Sequence, residues 1–279
     1  MLLIDRRTVK REAKGLSLKK SVMLVSLMFL LLTDALSTLA NLILTNPITL
    51  IAQQWYQSMN SLLVNNMADL SSGADLNLAP VYTATFSYAR QMLFNPKQEI
   101  LLFFFLLLFL WSLVLSYGFS DWALNTLRGE ERPWTALFDR LWMAGKFIVL
   151  DILTMVLTAL GTVFFLFPGL YFLYSLRLAR YILLDHPELP VYRVVLRSMQ
   201  LSRGWKVQLF LLDLSFLGWF LIQQFALNSL FSVGAMVAYP VGIVLGEVAY
   251  LAFAVFLTPY RELSFARYYE SIQSRGGVR

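Results

Sequence analysis

Five stretches of this sequence run for 20 residues or more with almost no charge: Ser21–Leu44, Ile100–Phe119, Phe147–Phe167, Val207–Leu227 and Met236–Leu257. A sixth, Leu170–Leu184, has 15 residues. About 20 apolar residues in a helix cross the hydrocarbon of a bilayer, where every backbone N–H and C=O must be satisfied within the segment. A membrane barrel would instead alternate apolar and polar residues over segments of about 10. Hydrophobic residues make up 58% of the 279 and charged residues 14%. Soluble domains sit near half and a quarter, so one soluble core cannot absorb this excess. The fold class expected is all-α: a polytopic membrane protein of six transmembrane helices with interfacial amphipathic helices, residues 1–279 forming a single integral membrane domain.

Lysine and arginine set the orientation. With six crossings, segments 1–20, 120–146, 185–206 and 259–279 share one side and hold 19 of the 23 Lys/Arg, against two, Arg90 and Lys97, on the other. Basic loops stay cytoplasmic, so a plasma-membrane location with both termini in the cytoplasm is expected, residues 259–279 forming a cytoplasmic tail. The same account explains the net charge of +6 without nucleic acid as a partner. The basic 1–20 segment followed by Ser21–Leu44 reads as an anchor rather than a cleaved signal peptide, because the run passes Asp34 and no clean Ala-x-Ala follows. Residues 45–99 form an extracytoplasmic insertion. Ile48, Ile51, Trp55, Met59, Leu62 and Leu63 recur at helical spacing, which predicts an amphipathic helix on the membrane surface broken at Ser71-Ser72-Gly73. A second piece runs from Val81 through Thr85, Tyr88 and Met92 to Pro96. Arg140…Gly145-Lys146…Asp151 echoes Arg197…Gly204…Lys206…Asp213, an order that two parallel helix-hairpin units or chance would both produce.

Ionisable groups inside a membrane are costly and point to sites. Asp151 and Asp213 start their runs about 6–9 Å in from the cytoplasmic side. Arg177 and Arg180 approach the same depth from above. A planar guanidinium pairs with a carboxylate bidentately, so an Arg–carboxylate network is expected there. Three readings stand: a lock joining spans three to five, a cavity binding an anion or lipid headgroup, or snorkelling to the interface. Glu247 lies mid-run after Gly242-x-x-x-Gly246, a spacing that brings helices close. It reads either as a proton-carrying acid or as a protonated packing residue. No catalytic constellation is visible, the one histidine, His186, precedes a loop proline, and there is no cysteine. No metal site or cofactor is expected, and an enzyme is not.

One further pattern is more specific. Ser198, Gly204-Trp205-Lys206, Ser215-Phe216-Leu217-Gly218-Trp219, Pro259-Tyr260 and Tyr268-Tyr269 follow one another in this order. Arg128-Gly129-Glu130, Leu137-Phe138 and Phe167-Pro168-Gly169 extend it upstream. This order resembles an uncharacterised bacterial multi-pass membrane family, domain of unknown function 975. The chain departs from that pattern in a longer Gly218–Pro259 interval and in the polar insertion after its first apolar run. The resemblance implies an architecture and no established activity. Function is then expected to be a non-enzymatic module organising membrane lipids or a membrane-protein partner. The alternatives are a small transporter using Glu247 and the Arg–Asp cluster, or, least expected, a membrane-embedded enzyme.

Overall fold

The computed structural model describes residues 5–36, 55–62, 64, 79–94, 96–164 and 166–276, and no strand occurs among them. The chain divides into two compact units, residues 34–110 and the remainder.

The larger unit opens with α1, Arg6–Ser17. Asp5 caps it, accepting from the Arg7 N–H at 3.0 Å and the Thr8 hydroxyl at 2.7 Å. The hydroxyl, then the backbone N–H, holds this exposed carboxyl below its ordinary value. Val9, Ala13 and Ser17 form the buried face of α1, one and two turns apart, and Arg6, Arg7 and Arg11 lie outside. The axis bends by 83° into the stretch Lys20–Asp34, made of α2, Lys20–Leu30, and a π-helical turn, Leu31–Ala35.

In the smaller unit, residues 55–62 are helical and α3 spans Ala79–Phe94. The Ser58 and Tyr88 hydroxyls are 3.0 Å apart. Helix is therefore present at Trp55, Met59 and Leu62, and from Val81 to Met92, as their spacing predicts. Ile48, Ile51, Leu63 and Ser71–Gly73 lie outside the described residues.

A long helix, α4, covers Pro96–Leu127. Two short 3-10 turns, Trp134–Phe138 and Leu141–Met143, lead to α5, Ala144–Phe164. Then follow α6, Leu166–Leu176; α7, Ala179–Asp185; α8, Val191–Leu201; α9, Lys206–Leu214; α10, Leu217–Ala235; and α11, Tyr239–Gly276. Gly204, at φ 80°, makes the left-handed turn between α8 and α9 that a residue with a Cβ resists.

Among the described residues, four helical stretches are long and apolar enough to cross a membrane: Phe103–Leu127, Trp134–Val163, Lys206–Ala235 and Val241–Arg275. The bent pair at the N-terminus makes a fifth if it is one span. These stretches present their large apolar side chains outward: Met155 is 74% exposed, Val163 82% and Phe225 75%. Such a surface suits hydrocarbon and not water. Two expected boundaries differ. The run Leu170–Leu184 is not one helix, because the chain turns at Arg177-Leu178 between α6 and α7. Nor does the sixth run end before Pro259: α11, 38 residues long in all, continues through it to Gly276. Proline removes one helical hydrogen bond, and burial of Leu263, Phe265, Ala266, Tyr268, Tyr269 and Ile272 holds the helix on the far side.

The core of the larger unit is built where the basic segments meet. The second half of α11 packs with Leu115, Tyr117, Phe119 and Trp122 of α4, Tyr181–Leu184 of α7, Val194 of α8 and Val9 of α1. Leu137, Trp205, Phe216, Tyr260, Tyr268 and Tyr269 of the sequence pattern lie in it, and Ser198 is buried beside it, whereas Phe167, Leu217 and Trp219 are exposed. Ser198 donates to the Ser175 carbonyl at 2.8 Å, and Tyr269 donates to Asp185 Oδ2 at 2.9 Å. The Tyr268 hydroxyl donates to Gln208, and Trp205 packs against the Tyr268 ring.

Candidate functional site: an arginine-lined cavity

The turns at Arg177-Leu178 and Ser215-Phe216 and the proline in α11 bring charged side chains to one place. The turn after α6 carries Arg177, and the first turn of α7 carries Arg180. Asp213 sits in the last turn of α9, just before the chain turns at Ser215-Phe216. Pro259 is followed by Arg261 and Glu262, and Asp151 comes from the second turn of α5. Asp151, Arg177, Arg180, Arg261 and Glu262, with Tyr117, Thr154 and Tyr181, line a cavity of about 270 Å³.

Asp213 closes one side of this cluster. Its Oδ1 lies 3.3 Å from Arg261 Nη2 and 3.6 Å from Arg177 Nη2, and its Oδ2 accepts from the Tyr174 hydroxyl at 3.4 Å. All three side chains are a quarter to a third exposed, so each pair contributes no more than about 1 kcal/mol. The Arg177 guanidinium carbon also stands 4.3 Å over the Phe265 ring, a contact between cation and aromatic face.

Arg180 is placed differently. It stands 4.4 Å over the Tyr117 ring and donates to the Ser120 hydroxyl at 3.3 Å. Among the described residues no carboxylate lies within 4.0 Å of it. Asp151 accepts from the Tyr117 hydroxyl at 2.6 Å. Glu262 Oε1 accepts from Ser120 at 2.5 Å and Tyr181 at 2.8 Å. Arg261 Nε is enclosed and has no hydrogen-bond partner. A guanidinium offers five N–H donors, so the cavity holds cationic donors that the protein does not use.

Of the four residues expected to form one network, the structure brings Arg177 and Asp213 into an ion pair. Asp151 and Arg180 line the same cavity but are not paired with each other. Tyr117, Ser120, Tyr181, Arg261 and Glu262 are additions. Arg261 and Glu262 directly follow the Pro259-Tyr260 pair, the one local signal that marks them.

Glu247 is elsewhere. It lies on α11, its Oε1 enclosed, and it is not among the cavity's lining residues. The faces of Gly242 and Gly246 next to it meet α10. A Cβ on Gly242 would come within 2.7 Å of the Phe231 carbonyl oxygen, and one on Gly246 within 3.2 Å of Phe231 Cβ. Asp34 lies in the π-helical turn. Among the described residues no cluster of three or more His, Asp or Glu side chains is arranged to hold a metal.

The family described as "Protein of unknown function (DUF975)" matches residues 1–276. The chain belongs to that family. The curated proteins give no match to it, and the solved structures give none either.

Proposed function

We propose that this protein is a non-enzymatic module of the plasma membrane that holds membrane lipid by its headgroup, with the arginine-lined cavity as the binding site. The observation that carries this reading is the unused donor capacity inside the cavity. Among the described residues Arg180 has no carboxylate within 4.0 Å, and it lines the cavity beside Arg177 and Arg261. A phosphate oxygen in the cavity would accept from the Arg180 N–H groups that have no carboxylate acceptor, the kind of charged hydrogen bond worth about 1.5–3 kcal/mol. About 270 Å³ lies just below the roughly 300–1,000 Å³ of pockets for drug-sized ligands, a size for a headgroup with its acyl chains outside. The outward apolar surface of the long helices would supply the contact with those chains.

This reading uses six crossings, the N-terminal bent pair and the broken stretch α6–α7 each counted as one, with both termini cytoplasmic. The Lys/Arg asymmetry supports it, since all the cavity's charged residues adjoin basic segments. Native mass spectrometry of the purified protein tests the function. Phospholipid should stay bound to the parent protein, and Arg180→Gln and Arg261→Gln should each retain roughly tenfold less, the scale of one charged hydrogen bond. Equal retention by parent and variants, or none by the parent, overturns the proposal.

A further inference from the structure

The cavity is not simply cationic. Asp151 and Glu262 line it, and neither makes an ion pair with a described residue. Each is held by hydroxyl donors through one oxygen, from Tyr117 to Asp151 Oδ1 and from Ser120 and Tyr181 to Glu262 Oε1. No described residue donates to Asp151 Oδ2 or Glu262 Oε2. Both carboxylates act on Arg180 electrostatically from beyond ion-pair distance, whereas Asp213 contacts its arginines at 3.3 and 3.6 Å. These two instead face the cavity, with acceptor capacity to spare.

We infer that the ligand of this cavity is zwitterionic: a group carrying a primary ammonium together with a phosphate, as in an ethanolamine phospholipid headgroup. The phosphate meets Arg180 and Arg261, and the ammonium meets Asp151 and Glu262. An ammonium has three donors and no acceptor, which fits carboxylates that lack donors of their own. Charge balance points the same way. Arg177, Arg180 and Arg261 are matched in number by Asp151, Asp213 and Glu262. A ligand of zero net charge leaves the cluster neutral. A purely anionic headgroup leaves the cluster with an uncompensated net charge, a cost tempered by the partial exposure of Arg177 and Arg261. A trimethylated amine carries the positive charge but donates nothing, so choline should bind less well than ethanolamine.

This inference rests on the headgroup reading above, and the test separates the two. Full-length protein in detergent is titrated with phosphatidylethanolamine, phosphatidylglycerol and phosphatidylcholine, and binding is read by native mass spectrometry and thermal shift. Soluble glycerophosphoethanolamine, a phosphodiester with the same charges as the lipid headgroup, and inorganic phosphate are run alongside. The expected result is roughly tenfold tighter binding of the ethanolamine lipid than of the choline or glycerol lipid. Asp151→Asn and Glu262→Gln should abolish that preference while leaving phosphatidylglycerol bound, and Arg180→Gln should weaken all three. If both carboxylate variants fail to fold, the ranking by the parent protein decides. Phosphatidylglycerol bound as tightly as phosphatidylethanolamine overturns the zwitterion and leaves the headgroup reading standing. No binding of any lipid overturns both. Stabilisation by glycerophosphoethanolamine equal to that by the lipid keeps the zwitterionic site and makes its ligand a free solute, which overturns the lipid reading alone.

Discussion

Asp213 serves two arginines, and Arg177 and Arg261 would both lose their carboxylate in the substitution Asp213→Asn. The amide keeps the shape and can still accept from Tyr174. Because the pairs are partly exposed, the expected loss is about 1–2 kcal/mol in a denaturation measured in detergent. A larger loss would mean the pairs are better shielded from water than their exposure indicates. Depth along a helix is readable from sequence, and it singled out Asp151, Arg177, Arg180 and Asp213 together. Partner choice is not readable in that way. Asp151 found a tyrosine because Tyr117 stacks on Phe147, one turn before it on α5, at 4.1 Å between ring centroids. Arg261 and Glu262 were hidden for another reason. A proline before them reads as a helix end, and residues after a helix end read as solvated.

At the level of elements, the backbones of α10 and α11 approach closely at Gly234 and Gly242, beside side-chain contacts such as Gln223 donating to the Tyr250 carbonyl at 3.4 Å. Gly242→Ala should cost about 1–3 kcal/mol, because its Cβ would meet the Phe231 carbonyl oxygen and the Ala235 nitrogen, atoms of a neighbouring helix backbone that cannot swing aside. Gly218→Ala, a position with nothing within 4 Å of a new Cβ, should be neutral or slightly stabilising, and the pair measured together by thermal unfolding isolates the contact. The cap of α1 gives a pH dependence. The Asp5 carboxyl is held below its ordinary value of 3.8, so its contribution is complete above that value and fades as pH falls through the lower, folded value. Amide protection factors in the first turn of α1 should fall in that acid range, and Asp5→Ala should remove the dependence. The glycine spacing at 242 and 246 was visible in the sequence. The continuation of α11 was not, because proline's local penalty is overridden by a buried aromatic face that only the tertiary fold defines.

For the molecule as a whole, topology is the most direct check. Reporter fusions after Ser72 should read extracytoplasmic, and those after Glu130, Glu188 and Gly277 cytoplasmic; a cytoplasmic Ser72 removes the six-crossing arrangement. Helical class and the positions of the long apolar stretches follow from run length alone, a strong signal because lipid imposes one length on every span. How many stretches cross depends on whether broken segments count, and Leu170–Leu184 looked continuous because a turn at Arg177-Leu178 leaves no glycine or proline behind. The larger unit keeps its tight packing near the charged segments and leaves the apolar stretches facing outward. This reverses the usual distribution of mutational tolerance. Exchanges among Leu, Val, Phe and Met at outward positions such as Met155, Val163 and Phe225 should pass almost unnoticed, since one oily side chain meets lipid much as another does. The residues that cannot drift sit beside the arginines and the turns, so a lineage of such proteins would keep its recognisable spelling in its most polar stretches.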